Sequence, residues 1–342
     1  MLVVASEGHR RHHPLEALPF AGEIRPPREV PARAEAILSA LRDRGSASVT
    51  RPAPVDPALL ARVHTPEYLA FLGTAHERWC ARTGRSDGEA RPFVRPFRDD
   101  RFGSPGDVLA ELGRFSHDTD PLLAGTWAAA LDAVSCATTA AAAVLDGAPS
   151  AYALCRPPGH HATADSFGGY CYLNNVAVAA QSLVERGARV AILDVDAHAG
   201  NGTVHLFWER DDVLVVSIHA DPAHEYPFFG GRSDEVGGGA GAGFTVHLPL
   251  PAGTGWTDYD AALGHALGRV VEHRPDVVLV SLGVDTSVAD GVLSLDGDDY
   301  RRLGERLAGA RLPLVVVQEG GYTLSVLGVH VANVLEGIAE RS

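Results

Sequence analysis

Several ionisable side chains in this sequence stand where short apolar runs end. In Arg189–Thr203, RVAILDVDAHAGNGT, the run Val190–Val195 leads into Asp194, Asp196 and His198, spaced two apart. Residues two apart on an extended chain project to the same side, so three potential metal or proton ligands emerge together. His160 and His161 follow Ala151–Cys155 in RPPGHH; Asp285 follows Val277–Leu282; Glu319 and Tyr322 follow Leu314–Gln318. If these runs are strands of one open parallel sheet, whose ligands bind outside the carboxyl ends, all of these groups meet at one edge.

The chemistry available to such a set is limited. His198, Asp196 and Asp285 would give a divalent ion one imidazole and two carboxylates and leave a position open for water, as catalytic sites do. This oxygen-rich set suits Zn²⁺ first, with Fe²⁺ or Co²⁺ as alternatives. Such an ion lowers the pKa of its water to about 7 and polarises a carbonyl. His160 and His161 then form a proton-transfer pair. Tyr322, after the Glu319-Gly320-Gly321 turn, is a phenol able to hydrogen-bond an oxyanion. Together these parts describe metal-assisted hydrolysis of an amide. His9, His12 and His13 cluster near the N-terminus, but without further ligands nearby they read as surface histidines.

The elements that must position these groups follow from periodicity. Leu2–Ala5 reads as a first strand, followed by a polar loop through Pro31. Residues 32–44 and 64–82 read as helices, the second with an apolar stripe of Tyr68, Leu69, Leu72 and Trp79. Residues 84–125 are rich in Arg, Pro, Gly and Asp without sustained periodicity; loops this long are usually functional or interfacial. TWAAALDAVSCATTAAAAVLDG predicts a helix with Thr126 as N-cap and a stop at Gly147. Thereafter strands at 151–155, 190–195, 213–218, 277–282 and 314–318 alternate with helices at 173–186, 258–273, 297–310 and 324–340. That alternation predicts an α/β fold, a central parallel β-sheet flanked by helices on both faces. No repeat or linker divides it, so residues 1–342 are expected to form one domain.

Composition narrows the function classes. A 46% apolar and 21% charged chain of 342 residues is that of an ordinary globular protein. The formal charge of −14 disfavours nucleic acid and anionic membrane surfaces and suits a small cationic ligand. Cys80, Cys136, Cys155 and Cys171 are scattered, which predicts reduced thiols and a cytoplasmic location. The N-terminus lacks the pattern of a signal peptide, and no apolar run approaches the roughly 20 residues that span a bilayer.

CRPPGHHA (155–162), FGGYCYLNNVAVAAQ (167–181), AILDVDAHAGNGT (191–203), SLGVDT (281–286) and EGGY (319–322) together resemble the signature of the histone deacetylase superfamily of metal-dependent amidohydrolases. ELGRFSHDTDPLLAGTW (111–127) and HADPAHEYPFFG (219–230) resemble its bacterial acetylpolyamine amidohydrolase branch. The resemblance implies the arginase/deacetylase-like fold. It assigns zinc to Asp196, His198 and Asp285, general base and acid to His161, polarisation of the water to His160 and oxyanion stabilisation to Tyr322. It pairs Asp194 with His160 and Asn201 with His161, and implies a buried monovalent-cation (K⁺) site at Asp194 and Ser217. Gly169, Tyr170 and Tyr226 match the walls of a narrow acyl-amine tunnel. Asp120, or Asp118 after a shift in alignment, matches the residue that reads a distal ammonium group. By the same resemblance, the 84–125 segment would narrow the entrance or form a homodimer interface.

Two positions depart from the pattern. Ala199 stands where the family carries a second histidine after its metal-binding one, which predicts loss of a group supporting the metal site. Asp290-Gly291 replaces the usual Asp-Pro, a difference of loop geometry. The expected activity is removal of acetyl or another short acyl group from a cationic amine, with acetyl-lysine peptides or a natural-product precursor as alternative substrates. A binuclear manganese ureohydrolase would need more carboxylates than Ala199 and Asn201 allow. A non-catalytic acyl-amine binding protein is the competing class, favoured only by Ala199.

Overall fold

The computed structural model describes residues 1–20, 23–45, 48–94 and 106–340. The strands are β1 (Leu2–Val4), β2 (Leu18–Phe20), β3 (Glu23–Arg25), β4 (Ser48–Thr50), β5 (Ser150–Ala153), β6 (Val190–Asp194), β7 (Val213–Ala220), β8 (Thr245–Leu250), β9 (Val277–Leu282) and β10 (Leu314–Gln318). Eight of them form one sheet in the order β4-β1-β5-β10-β9-β6-β7-β8, and every pairing in it is parallel. β2 and β3 form a separate antiparallel hairpin within the loop expected before Pro31.

Strict alternation along the strands builds two cores. Val190 and Ile192 face a layer that contains the Pro66–Thr83, Thr126–Leu145 and Asn175–Val184 helices. Ala191, Leu193 and Val195 face the other layer, with Ala32–Asp43, Trp256–His273, Gly297–Gly309 and Leu324–Ala339. Burial on both faces explains why the strands read as continuous apolar runs.

The strand order decides where the site lies. β9 and β10 enter between β5 and β6, so β5-β10-β9-β6 are adjacent. These are the four strands whose ends carry the ionisable groups. Parallel pairing then puts all four ends on the same edge.

Some expectations need correction. Thr126 is the first residue of its helix rather than the cap; Gly125 occupies the cap, and the Thr126 hydroxyl accepts the Leu123 N–H at 2.8 Å. His9 and His12 are buried, not surface residues. His12 packs edge-on to Tyr172 and bonds Thr126 at 2.9 Å, and burial lowers its pKa to about 3. β4, β8, the hairpin and the Val108–Arg114 and Asn201–Phe207 helices were not anticipated. Of the 84–125 segment, residues 95–105 lie outside the described residues. The Thr126–Leu145 helix is long and apolar enough to cross a membrane, but 56% of its apolar window is buried inside the fold.

Candidate active site

The metal-type cluster is built from the ends of β6 and β9. His198 Nδ1 lies 3.1 Å from Asp196 Oδ1 and 3.3 Å from Asp285 Oδ2. A tetrahedral ion with bonds of about 2.0–2.1 Å separates its ligands by roughly 3.3 Å, so both carboxylate oxygens stand at ligand spacing from the imidazole nitrogen. Asp285 Oδ2 is buried and, apart from its ion-pair contact with His198, has no hydrogen-bond partner among the described residues, a costly state for a carboxylate oxygen without a cation. The remaining oxygens are held by backbone donors: Gly320 N–H on Asp196 Oδ2 at 2.9 Å and Ala197 N–H on Asp285 Oδ1 at 3.1 Å. Close approach makes glycine necessary here, because a Cβ at Gly283 would overlap Asp196 and one at Gly320 would overlap Asp285.

His160 and His161 stack beside this cluster with ring centroids 4.0 Å apart. Their partners differ in charge. His160 Nδ1 is 2.9 Å from Asp194 Oδ2, and His161 Nδ1 is 2.7 Å from Asn201 Oδ1. Burial disfavours charge on His160, but Asp194 and Asp196 outweigh it and raise its pKa to about 10. Burial also acts on His161; with His160 and His198 beside it and only a neutral amide partner, it is pushed well below the ordinary value. The pKa values of neighbouring imidazoles are thereby driven apart, which leaves one ring charged and the other neutral.

Tyr322 follows Gly321, whose φ of +113° a side chain would resist. Its ring lies 4.7 Å from the Arg33 guanidinium and 5.5 Å from the Tyr170 ring. Burial raises the Tyr322 pKa well above that of a free phenol, so its hydroxyl stays protonated. Tyr226 stands edge-on to His161 at 4.9 Å and to His198 at 6.1 Å. A Cβ at Gly169, φ +57°, would overlap the His161 ring. Gly169, Tyr170, Tyr226 and Tyr322 thus line one cleft with His161 and His198.

The two candidate ammonium readers separate. Asp120 is buried, with its carboxylate accepting the Tyr170 N–H at 2.8 Å. Asp118 is half-exposed, lines the same cleft and accepts the Gly169 N–H at 3.3 Å. The Ser217 hydroxyl bonds His219 Nδ1 at 2.7 Å. His219 Nε2 in turn bonds the Gly231 carbonyl at 2.8 Å. Ala199 is buried against this pair, and a Cβ at Gly231 would lie 2.7 Å from the Ala199 Cβ. The volume beyond the alanine is therefore filled by backbone. Gly291 has φ +89°, which proline's ring forbids, so the second departure is one of loop geometry as expected.

Arg33 was missed. It is fully buried, donates to the carbonyls of Gly321 and Glu319, each at 2.6 Å, and pairs with Glu29 at 3.0 Å. Glu29 also binds Arg156 at 2.8 Å. The signal was present, because Arg33, Ile37 and Leu41 share one helical stripe, and an arginine in line with two core residues must find buried acceptors.

A histone deacetylase domain profile matches residues 27–338. The chain belongs to the histone deacetylase domain family. It is 44% identical to acetylpolyamine amidohydrolase 1 of Pseudomonas aeruginosa, over 98% of each chain. It is 42% identical to the acetylpolyamine amidohydrolase of Mycoplana ramosa, over 99% of this chain and 100% of that protein. The crystal structure of acetylpolyamine aminohydrolase from Burkholderia pseudomallei superposes with a TM-score of 0.91 at 40% identity, covering 100% of this chain and 99% of that one. The arginase/deacetylase-like fold inferred from the strand-end motifs accords with that superposition.

Proposed function

We infer that this member of the histone deacetylase domain family is a zinc-dependent amidohydrolase that removes acetyl, or a similar short acyl group, from polyamines. The observation that carries this is the spacing of Asp196, His198 and Asp285 at 3.1 and 3.3 Å beside the charged and neutral histidine pair. The relatives' names supply the polyamine. Zn²⁺ best suits the one-imidazole, two-carboxylate set, with Fe²⁺ and Co²⁺ as substitutes. When bound, the ion supplies a Lewis acid for the carbonyl and a water of lowered pKa.

The chain's own residues do the rest. Neutral His161 accepts the water proton and returns it to the leaving amine. His160, held by Asp194, orients the water, and the Tyr322 hydroxyl donates to the carbonyl oxygen as negative charge develops. Tyr170 and Tyr226 grip the methylene chain and Gly169 leaves room for it. Asp118 meets a distal ammonium group, while Asp120 holds the Tyr170 backbone. A K⁺ ion beside Asp194 is retained as part of this reading, although the Ser217 hydroxyl is engaged by His219.

Four free cysteines suit the reducing cytoplasm. The 84–125 segment is assigned to the entrance or a homodimer contact, for which light scattering on the purified protein is the test. Acetyl-lysine peptides are the second substrate class, and a non-catalytic acyl-amine binder is the contrary reading.

The deciding experiment is a panel of acetylputrescine, acetylcadaverine, acetylspermidine and acetyl-lysine peptides assayed with the zinc-loaded protein. Acetate release from the polyamines at higher kcat/KM supports the proposal, and preference for peptides overturns its polyamine part. Tight hydroxamate binding without turnover on any substrate overturns catalysis.

A further inference from the structure

Behind the tandem histidines lies a second group of potential ligands that the hydrolytic reading does not use. His160, Cys171 and Glu319 are all buried, and their ligand atoms lie within 4.8 Å of one another. Glu319 Oε2 accepts the N–H groups of Gly159 at 2.7 Å and His160 at 3.2 Å, but Glu319 Oε1 is buried without a hydrogen bond. His160 Nδ1 is committed to Asp194, which leaves Nε2 to ligate. Cys171 Sγ donates to the Gly169 carbonyl at 3.3 Å. Orphaned buried carboxylate oxygen signals a missing proton or cation. Imidazole, thiol and carboxylate together make a borderline-soft donor set.

We propose that His160, Cys171 and Glu319 form a second, inhibitory site for a thiophilic divalent ion such as Zn²⁺ or Cd²⁺. Its inhibitory consequence rests on the amidohydrolase reading, because an ion on His160 Nε2 takes that nitrogen away from the water. Binding exchanges two protons for the ion: the Cys171 S–H and His160 Nε2–H bonds break, the sulfur–metal and nitrogen–metal bonds form, and both protons leave to solvent. Sites of this kind fill in order. The Asp196, His198 and Asp285 atoms already stand at 3.1 and 3.3 Å. The second set, whose ligand atoms lie within 4.8 Å of one another, must in addition give up two protons, so it fills second.

Charge permits both ions together. Asp194, Asp196, Asp285 and Glu319 are all buried around the two sites, and the thiolate adds a further negative charge. With His160 deprotonated, two divalent ions and the K⁺ beside Asp194 stand against five negative charges, which leaves no cationic excess to drive the second divalent ion out.

The test titrates metal-free protein with Co²⁺, Zn²⁺ and Cd²⁺, reading stoichiometry by native mass spectrometry and thiolate-to-cobalt charge transfer by absorbance. Two ions per chain are expected, with the charge-transfer band arising only at the second equivalent. Excess Zn²⁺ should suppress acetate release. In Cys171→Ser and Cys171→Ala the second ion should weaken by about tenfold or more, taking the band and the zinc inhibition with it. Binding that stops at one ion, or a second ion unaffected by both variants, overturns the proposal. If the variants do not fold, the wild-type band decides: its absence at the second equivalent overturns the site. Stoichiometry and absorbance need no substrate, so failure of the deacetylase reading is recognised separately, by lack of turnover with one ion bound.

Discussion

His161 Nδ1 lies 2.7 Å from Asn201 Oδ1. An amide oxygen can only accept, so this contact fixes the proton on Nδ1 and leaves the Nε2 lone pair free as a base. The partner of His160 is instead the Asp194 carboxylate, and from that difference one of two chemically identical rings is charged and the other neutral.

Replacing Asn201 by Asp should therefore raise the His161 pKa. Activity needs neutral His161, so kcat/KM falls as pH falls through that pKa, and in Asn201→Asp the acidic limb should move to higher pH. A pH profile on one acetylpolyamine checks the shift. An unmoved limb would remove His161 from the base role.

Tyr322→Phe deletes the oxyanion donor without touching a metal ligand. Loss of one such donor lowers kcat by about 10²–10³-fold. Metal content per chain should stay at the wild-type level, which elemental analysis can verify alongside the kinetics.

Gly320→Ala should disrupt the metal cluster, because its Cβ overlaps Asp285 and approaches Asp196 Oδ2 to 2.6 Å. Displacement of both carboxylates should weaken metal affinity by about 10–100-fold or more. Competition with a chromophoric chelator measures this directly, and wild-type affinity in the variant would contradict the packing described.

Arg33→Met removes the donors to the Glu319 and Gly321 carbonyls and half of the cationic partnership of buried Glu29. Breaking a buried ion pair on one side typically destabilises by about 3 kcal/mol or more. Denaturant unfolding should show that loss, with a parallel fall in kcat as the Tyr322 turn loosens.

His64 carries a pH-dependent part of the stability. Its Nδ1 contacts the Thr163 carbonyl at 2.9 Å and its Nε2 accepts the Asn174 N–H at 3.0 Å. The Nε2 contact needs the neutral ring, and burial, opposed by the backbone contact to Thr163, lowers its pKa to about 4. The unfolded chain binds the proton first, so stability is complete above about pH 6.5 and declines toward pH 4, by about 1.4 kcal/mol per pH unit for this one group. In His64→Gln the slope of unfolding free energy against pH should be shallower over that window.

The sequence by itself determined which side chains meet at the site. Short apolar runs that alternate with helical patterns and end in ionisable residues read as strands buried on both faces, and parallel pairing puts those ends on one edge. His160, His161, Asp196, His198, Asp285 and Tyr322 were all legible on that ground. Long-range packing decided the rest. The insertion of β9 and β10 between β5 and β6 made the four ends neighbours, and no local pattern encodes strand order. Tertiary contact also separated buried Asp120 from half-exposed Asp118 and gave Ser217 to His219. It placed Cys171 and Glu319 against His160 as well. Position at a strand end marked Glu319 but not its neighbours, and the partners of all these residues are set by what folds against them.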